Sequence, residues 1–133
     1  MTENKKSREM NALERAILCA EEVIEHKAQD LVVLDVSRLS SFADYFVICS
    51  GRSSRQVQGI ADNLAAKLRK QGIRAAGVEG SREGHWVLMD YGDVIVHIFY
   101  EPVRLFYDLE SLWSEAERLN LEQQNTNSEL NTI

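Results

Sequence analysis

The stretch "HWVLMDYGDVIVHIFY", residues 85–100, predicts two β-strands joined by a tight turn. If Tyr91 and Gly92 form a two-residue turn, Asp90 pairs with Asp93, and the register of the hairpin follows. One face then carries only apolar side chains: Val87, Met89, Val94, Val96 and Ile98. The other face is mixed and carries Trp86, Leu88, Asp90, Asp93, Ile95, His97 and Phe99, while Tyr91 projects from the tip. The hairpin therefore predicts a sheet with one purely apolar face and one mixed face.

Two further apolar runs lie upstream of the hairpin. Residues 30–36 ("DLVVLDV") and 45–50 ("YFVICS") are short and almost continuously apolar, which predicts buried strands. Residues 77–84 hold three glycines and predict a flexible loop. Together with three helices, the element order is α-β-β-α-β-β-α. The predicted fold class is α/β (α+β), with a mixed sheet of about four or five strands and helices packed against it.

The three helices are predicted from apolar residues at three- and four-residue steps. The first carries Leu13, Ile17, Ala20 and Ile24 on one face. The second carries Val57, Ile60, Ala61, Leu64 and Leu68 and ends at Gly72, which favours a left-handed cap. The third begins near Pro102 and has an apolar stripe of Leu105, Phe106, Leu109, Leu112, Trp113 and Ala116.

Length and charge limit the domain count and the class of partner. A chain of 133 residues predicts one domain, residues 10–118, with a flexible N-terminus at 1–9 and a disordered polar tail at 119–133. The formal net charge of -6 and the dispersed Lys and Arg residues disfavour direct nucleic-acid binding and suit a basic protein partner. No stretch approaches the ~20 apolar residues of a membrane span.

The two cysteines and the N-terminus favour a cytosolic protein. Cys19 and Cys49 have no spacing motif, so both are predicted to be small buried hydrophobes in a reducing compartment. The first residues, "MTENKKSREMN", lack the apolar core of an export signal and the composition of a transit segment. The expected location is the bacterial cytosol.

The loop "CSGRSSRQV", residues 49–57, lies between a strand and a helix, where many proteins hold phosphate. It has one glycine and lacks the GxxxxGK[ST] and GxGxxG spacings. Ser53 and Gln56 instead match an S-x-x-Q capping box at the start of the helix. An anion site at Ser53, Ser54 and Arg55 stays open as an alternative, and with it a nucleotide-binding or nucleotidyltransferase-like enzyme.

Catalytic and metal-binding patterns are missing from the sequence. No strand contains the D-x-D or D-x-E that would place two carboxylates on one face for shared metal ions. His85 and His97 fall on opposite faces of the hairpin, and His97 is expected to be the cross-strand partner of Trp86. The sequence therefore predicts no enzyme activity, no metal and no cofactor.

Four stretches resemble the ribosomal silencing factors, the RsfS or Iojap family. They are "DYFVICSGRSSRQVQGIAD" (44–62), "VEG" (78–80), "HWVLMDYGDVIVHIF" (85–99) and "RLFYDLESLW" (104–113). The resemblance spans about residues 10–115 and leaves out the polar tail. It implies a nucleotidyltransferase-like fold without catalytic carboxylates.

The resemblance also implies a function. Family members bind the large ribosomal subunit through ribosomal protein L-fourteen, block joining of the small subunit, and so repress translation when nutrients are limiting. Trp86 matches the family's binding tryptophan, and Asp90–Asp93 match its "DYGD" turn. The expected partner-binding residues are Trp86, Leu88, Asp90, Tyr91, Asp93 and His97, with Trp86 and Tyr91 as anchors. A homodimer of the free protein through the same hairpin face is a further alternative.

Overall fold

The structure is a computed structural model that describes residues 10–121. Its helices are α1 (Ala12–Glu25), α2 (Ser54–Lys70), α3 (Glu101–Tyr107) and α4 (Leu109–Leu112). Its strands are β1 (Gln29–Asp35), β2 (Tyr45–Gly51), β3 (Gly77–Glu79), β4 (Trp86–Asp90), β5 (Val94–Tyr100) and β6 (Glu117–Arg118). The predicted flexible N-terminus at 1–9, and residues 122–133 of the predicted tail, lie outside the described residues. Within residues 10–121, no helix combines the length and the apolar character needed to cross a membrane.

The strands form one mixed sheet in the order β3-β4-β5-β2-β1-β6. Strands β2 and β5 run parallel, with Tyr45 opposite Val94, and the other neighbouring pairs are antiparallel. The predicted α+β class with a mixed sheet is confirmed, but the sheet has six strands instead of four or five. One added strand, β3, lies inside the predicted flexible loop. It forms because Val78 pairs with Met89 of β4 despite the neighbouring glycines.

Helices α1 and α2 cover one face of the sheet. All five apolar residues predicted for α2 are buried, and Gly72 follows that helix with a positive φ of 80°, as predicted. The buried stripe of α1 is Ala16, Cys19, Ala20 and Val23. The stripe predicted for α1 is therefore only partly right, since Leu13 and Ile24 are exposed. Small side chains facing the sheet let the helix lie close to it.

Helix α3 and the segment after it cover part of the opposite face. The core there contains Leu34, Val36, Ala43, Phe46, Ile48, Ile95 and Phe99, with Trp86, Leu88, Val103, Leu109, Trp113 and Ala116 partly buried against it. The single long third helix predicted from the sequence is wrong. Asp108 takes a left-handed φ of 47° and divides it into α3 and α4. The apolar stripe is divided as well, and three of its members face solvent: Leu105, Phe106 and Leu112 are 77%, 80% and 78% exposed.

The turn of the β4–β5 hairpin is displaced by one residue from the prediction. The N–H of Tyr91 donates to the carbonyl of Val94 at 2.9 Å, so the two turn residues are Gly92 and Asp93. Gly92 supplies the positive φ of 83° that such a turn requires. The cross-strand register therefore shifts by two residues, and Trp86 lies opposite Phe99 instead of His97. Because the shift is even, every strand residue of the hairpin keeps its predicted face.

The chain after β6 continues along β1. The N–H of Leu119 donates to the carbonyl of Val33 at 2.9 Å, and Leu119 and Leu121 pack against the core under α1 and α2. Leu119 and Leu121 therefore add apolar contacts to the core beyond β6.

Candidate functional site

Trp86 lies half-buried at the start of β4, on the sheet face that α3 partly covers. Its ring centroid is 4.7 Å from that of Phe99 and 5.1 Å from that of Tyr107. The indole is therefore held between the sheet on one side and the end of α3 on the other. One part of the ring faces a shallow pocket of about 260 Å³ lined by Gly80, Glu83, His85, Trp86, Val103 and Tyr107, which we call the Trp86 pocket.

His97 fixes the orientation of this indole. The Nε1–H of Trp86 donates to Nδ1 of His97 at 3.1 Å, diagonally across the hairpin. His97 is 4% exposed, and burial lowers its pKa from 6.5 to about 4. A neutral ring that accepts at Nδ1 carries its proton on Nε2. The expected pairing of Trp86 with His97 exists, although through side chains and not through the strand register.

Tyr91 does not project from the hairpin tip, and this prediction is wrong. The side chain is 4% exposed and belongs to the core between the sheet and helices α1 and α2. The cause is the displaced turn, which leaves Tyr91 between the end of β4 and the two turn residues, with its side chain in the same core cluster as Met89. Arg15 of α1 adds a hydrogen bond from Nη1 to the carbonyl of Tyr91 at 3.2 Å. Burial raises the pKa of Tyr91 to about 12.

The remaining predicted residues of the hairpin differ in exposure. Leu88 and Asp90 are half-buried on the same face as Trp86, and Asp93 is exposed in the turn. The carboxylate of Asp90 accepts from the N–H of Gly92 at 2.8 Å and so stabilises the turn. The structure therefore brings Trp86, Leu88, Asp90 and His97 onto one face, next to the turn that carries Asp93.

Further exposed apolar residues lie on α3 and α4. Leu105, Phe106, Tyr107 and Leu112, here called the α3 patch, are each more than half exposed. The ring of Phe106 lies 5.1 Å from that of Tyr107, so aromatic rings in tilted and edge-to-face contact lead from buried Phe99 through Trp86 to the surface. An exposed aromatic cluster such as Trp86, Tyr107 and Phe106 is typical of a protein interaction site.

Arg104 holds α3 in place beneath this patch. Its Nη1 donates to the carbonyl of Asp30 and to the hydroxyl of Ser50, both at 2.8 Å. Its Nε and Nη2 donate to the carboxylate of Glu110 at 3.3 and 2.7 Å. One buried guanidinium therefore joins β1, β2, α3 and α4.

The loop at residues 50–56 has the geometry of a helix cap. The N–H of Gln56 donates to the hydroxyl of Ser53 at 3.0 Å, as the predicted cap requires. The side chain of Gln56 accepts from the N–H of Arg52 at 2.6 Å, one residue earlier than in the predicted capping box. The N–H groups of Arg52 and Gln56 are thus already bonded within the loop.

The groups best suited to nucleophilic chemistry lie in the core. Cys19 and Cys49 are free, fully buried thiols, as predicted, and burial raises the pKa of each to about 12. A thiol with this pKa holds almost no thiolate at neutral pH. Among residues 10–121, no group of three or more His, Cys, Asp or Glu side chains is arranged to hold a metal ion.

Comparison with known proteins decides the family. Residues 9–132 match the RsfS family, described as "Ribosomal silencing factor during starvation". The chain belongs to the RsfS family. It is 42% identical to the ribosomal silencing factor RsfS of Halalkalibacterium halodurans over 105 residues, which cover 79% of this chain and 90% of that protein. It is also 42% identical to RsfS of Bacillus subtilis over 98 residues, which cover 74% of this chain and 83% of that protein.

A solved structure supports the same fold. A crystal structure of a protein from Chromobacterium violaceum matches with a TM-score of 0.77 and 38% identity, covering 79% of this chain and 88% of the other. The RsfS family match reaches residue 132 and so includes the polar tail. The resemblance identified from the sequence had left that tail out.

Sequence reasoning missed the outward-facing residues of this RsfS chain. Leu105, Phe106 and Tyr107 were assigned to a core helix or passed over, yet they are exposed on α3, and Tyr107 contacts Trp86. A usable signal was present, because three consecutive bulky residues span about 200° of a helix and cannot all face one core. Glu83 was missed because the glycine-rich loop gave no sign that it would line the same pocket as Trp86.

Proposed function

We propose that this chain is a ribosomal silencing factor that binds the large ribosomal subunit and sterically blocks joining of the small subunit. Translation is thereby repressed, chiefly under nutrient limitation, in the bacterial cytoplasm. The proposed contact is ribosomal protein L-fourteen, because Trp86 and the Asp90–Asp93 turn match the binding hairpin of the family. The protein needs no cofactor for this role and catalyses no reaction.

The observation that carries the proposal is the surface around Trp86 in a chain of the RsfS family. The indole is held by His97, Phe99 and Tyr107, and the exposed α3 patch adjoins it. A rigid aromatic anchor next to exposed apolar side chains is typical of interface hot spots. Tyr91, buried in the core, stabilises the hairpin instead of touching the partner.

Charge supports a basic protein as the partner. Asp90 and Asp93 lie at the hairpin turn, and residues 101–117 carry five acidic residues against one basic residue, Arg104. Arg104 is buried and paired with Glu110, so it adds little positive potential at the surface. Complementary charges of this kind speed the encounter of two proteins more than they strengthen the complex.

A steric mechanism is consistent with the chemistry of the site. The two thiols are buried with raised pKa values, and the one accepting nitrogen of His97 is occupied by the indole N–H of Trp86. Inhibition then depends on occupancy, and the blocked fraction of large subunits follows the ratio of factor concentration to Kd.

Sedimentation with purified ribosomal subunits tests the proposal. The protein is expected to co-sediment with large subunits and not with small ones. It should also reduce subunit joining, measured by light scattering, in proportion to its occupancy of large subunits. A photocrosslinking residue in place of Leu88 should capture ribosomal protein L-fourteen. Failure to co-sediment, or unchanged joining at saturation, would contradict the proposal.

Self-association is a separate question for the free protein. A homodimer through the same sheet face would compete with ribosome binding, since one surface cannot serve both partners. Light scattering at several concentrations measures this equilibrium, and added large subunits should then shift it toward monomer.

A further inference from the structure

We propose that the Trp86 pocket binds a cationic side chain, an arginine or a lysine, presented by the basic protein surface that docks on this face. The identity of that protein rests on the proposed function, whereas the chemistry of the pocket does not.

The walls of the pocket are aromatic and apolar. The rings of Trp86 and Tyr107 lie 5.1 Å apart at an interplanar angle of 49°, and Val103 completes the apolar lining. A volume of about 260 Å³ has room for one long side chain. A guanidinium or ammonium group close to the face of a Trp or Tyr ring is attracted by the electron-rich π system, most strongly when the site excludes water.

The rim of the pocket supplies negative charge. Glu83 and His85 are its polar lining residues, and within residues 10–121 no lysine or arginine lines it. A cation in the pocket would therefore meet an aromatic lining and one carboxylate. A guanidinium group can form a bidentate ion pair with Glu83 while its plane stacks on an aromatic ring.

The loop that carries Glu83 is fixed before any partner arrives. Gly80 has a φ of 83°, and a Cβ there would lie 2.0 Å from the carbonyl oxygen of Trp86. Gly84 has a φ of 71°, and a Cβ there would lie 2.6 Å from the carbonyl oxygen of Ser54. The loop backbone is thus pressed against β4 at one end and against α2 at the other.

A side chain of α2 holds the middle of the same loop. Nε2 of Gln58 donates to the carbonyls of Ser81 and Arg82 at 3.0 and 2.7 Å. Glu83 follows directly and is therefore carried on an ordered backbone. Preorganisation of this kind reduces the entropy lost on binding.

The surroundings favour a protein cation over the other occupants of an aromatic pocket. A nucleic acid would bring phosphates close to the acidic residues of 101–117, and a second copy of this chain would bring the same acidic residues with it. The indole N–H of Trp86 is already bonded to His97, so the indole offers its ring and no hydrogen bond to the partner. A basic side chain is attracted by the acidic residues and binds an aromatic ring without needing a hydrogen bond from the indole.

Affinity for purified large subunits, measured by co-sedimentation, tests the pocket with a double-mutant cycle. Glu83→Gln and Tyr107→Leu are each expected to weaken binding about tenfold, and the double variant less than a hundredfold, because both residues contact the same cation. Glu21→Gln on α1 is the matched control, since it removes one exposed charge on the opposite side of the sheet. Wild-type affinity in Glu83→Gln, or losses that simply multiply, would overturn the proposal.

The cycle also separates the two proposals. Loss of binding in Trp86→Ala with no loss in Glu83→Gln or Tyr107→Leu would leave the proposed function standing and overturn the pocket. A wild-type chain that does not bind large subunits would overturn both.

A direct titration of the full chain tests the charge preference without ribosomes. N-acetylarginine amide should shift the NMR signal of the Trp86 indole N–H, and Glu83→Gln should reduce that shift. N-acetylcitrulline amide, the uncharged isostere, should produce a smaller shift. Equal shifts for the two compounds, or no shift with either, would overturn recognition of a cation.

Discussion

The indole Nε1–H of Trp86 donates to Nδ1 of His97, which lies two residues from the strand position directly opposite Trp86. The bond fixes the tautomer of the histidine and the rotation of the indole at once. It also satisfies the only polar atom of the indole inside the protein. Trp86 therefore presents a purely apolar surface to a partner, at an angle set by a residue that is itself buried.

Trp86→Ala is expected to weaken binding to large subunits by about 2 kcal/mol or more, the size of an interface hot spot. The domain should remain folded, because Trp86 is half-buried at the margin of the core and not inside it. Co-sedimentation measures affinity, and circular dichroism checks the fold. A folded variant that binds as the wild type does would refute the role of Trp86.

The stability of the protein should fall as the pH is lowered from about 6.5 to about 4, partly because of His97. Burial lowers the folded-state pKa of His97 to about 4, so in this window the unfolded chain binds a proton that the folded chain does not. The difference corresponds to about 3 kcal/mol of unfolding free energy. Urea denaturation at a series of pH values measures it.

His97→Gln is the matched variant for this pH dependence. Glutamine does not titrate and can still offer an acceptor to Trp86, while the carboxylates of the chain titrate as in the wild type. The difference in unfolding free energy between the two proteins should therefore change across pH 4–6.5 and be constant above it. A constant difference throughout would show that His97 does not cause the effect.

Arg104→Met should destabilise the fold by about 3 kcal/mol, because it leaves the carboxylate of Glu110 without its buried partner. It also removes the bonds that tie α3 to Asp30 and Ser50. Arg74→Met, at an exposed position, is the control and should change stability by less than about 0.5 kcal/mol. Equal effects of the two substitutions in urea denaturation would contradict the role assigned to Arg104.

Two glycine substitutions should change stability in opposite directions. Gly80→Ala places a Cβ against the carbonyl of Trp86 in a backbone of positive φ and should destabilise by about 2 kcal/mol or more. Gly59→Ala adds a methyl group inside α2, where no atom of the neighbouring elements in residues 10–121 lies within 4 Å, and should stabilise by about 0.5–1 kcal/mol. Thermal unfolding measures both changes, and a tolerated Gly80→Ala would show that the loop is free to move.

Calorimetry with nucleotides, with and without divalent metal, is expected to show no saturable binding in the micromolar range. The N–H groups of Arg52 and Gln56 are already bonded to side chains of the loop. Saturable binding that is lost in Arg55→Ala would restore the anion site and the enzyme alternative.

The faces of the hairpin could be predicted from the sequence because strand residues alternate with a period of two. An error of one residue in the turn changed the register by two and left Trp86, Leu88 and His97 on their predicted face. The same error placed Tyr91 at the tip, although it is buried. A residue next to a turn is the hardest to assign, because the turn decides whether it belongs to a strand.

Helix α2 was predictable in full, and the third helix was not. The Ser53 cap and Gly72 mark both ends of α2, so its apolar period refers to one continuous helix. In the third helix the period continues through Asp108, where the backbone turns left-handed and the faces no longer align. Periodicity predicts burial only for as long as the helix is unbroken, and neither the break nor the Trp86 pocket beside it is visible in the spacing.

The parallel pairing of β2 with β5 has a consequence for folding during synthesis. Tyr45 pairs with Val94, which is synthesised forty-nine residues later, so the central pairing of the sheet cannot form before then. During translation, β2 therefore emerges as an apolar strand with an open edge, and long-range pairings of this type slow folding. Nascent chains that stop before residue 94 cannot complete the core, so every active molecule is one whose synthesis has passed the hairpin.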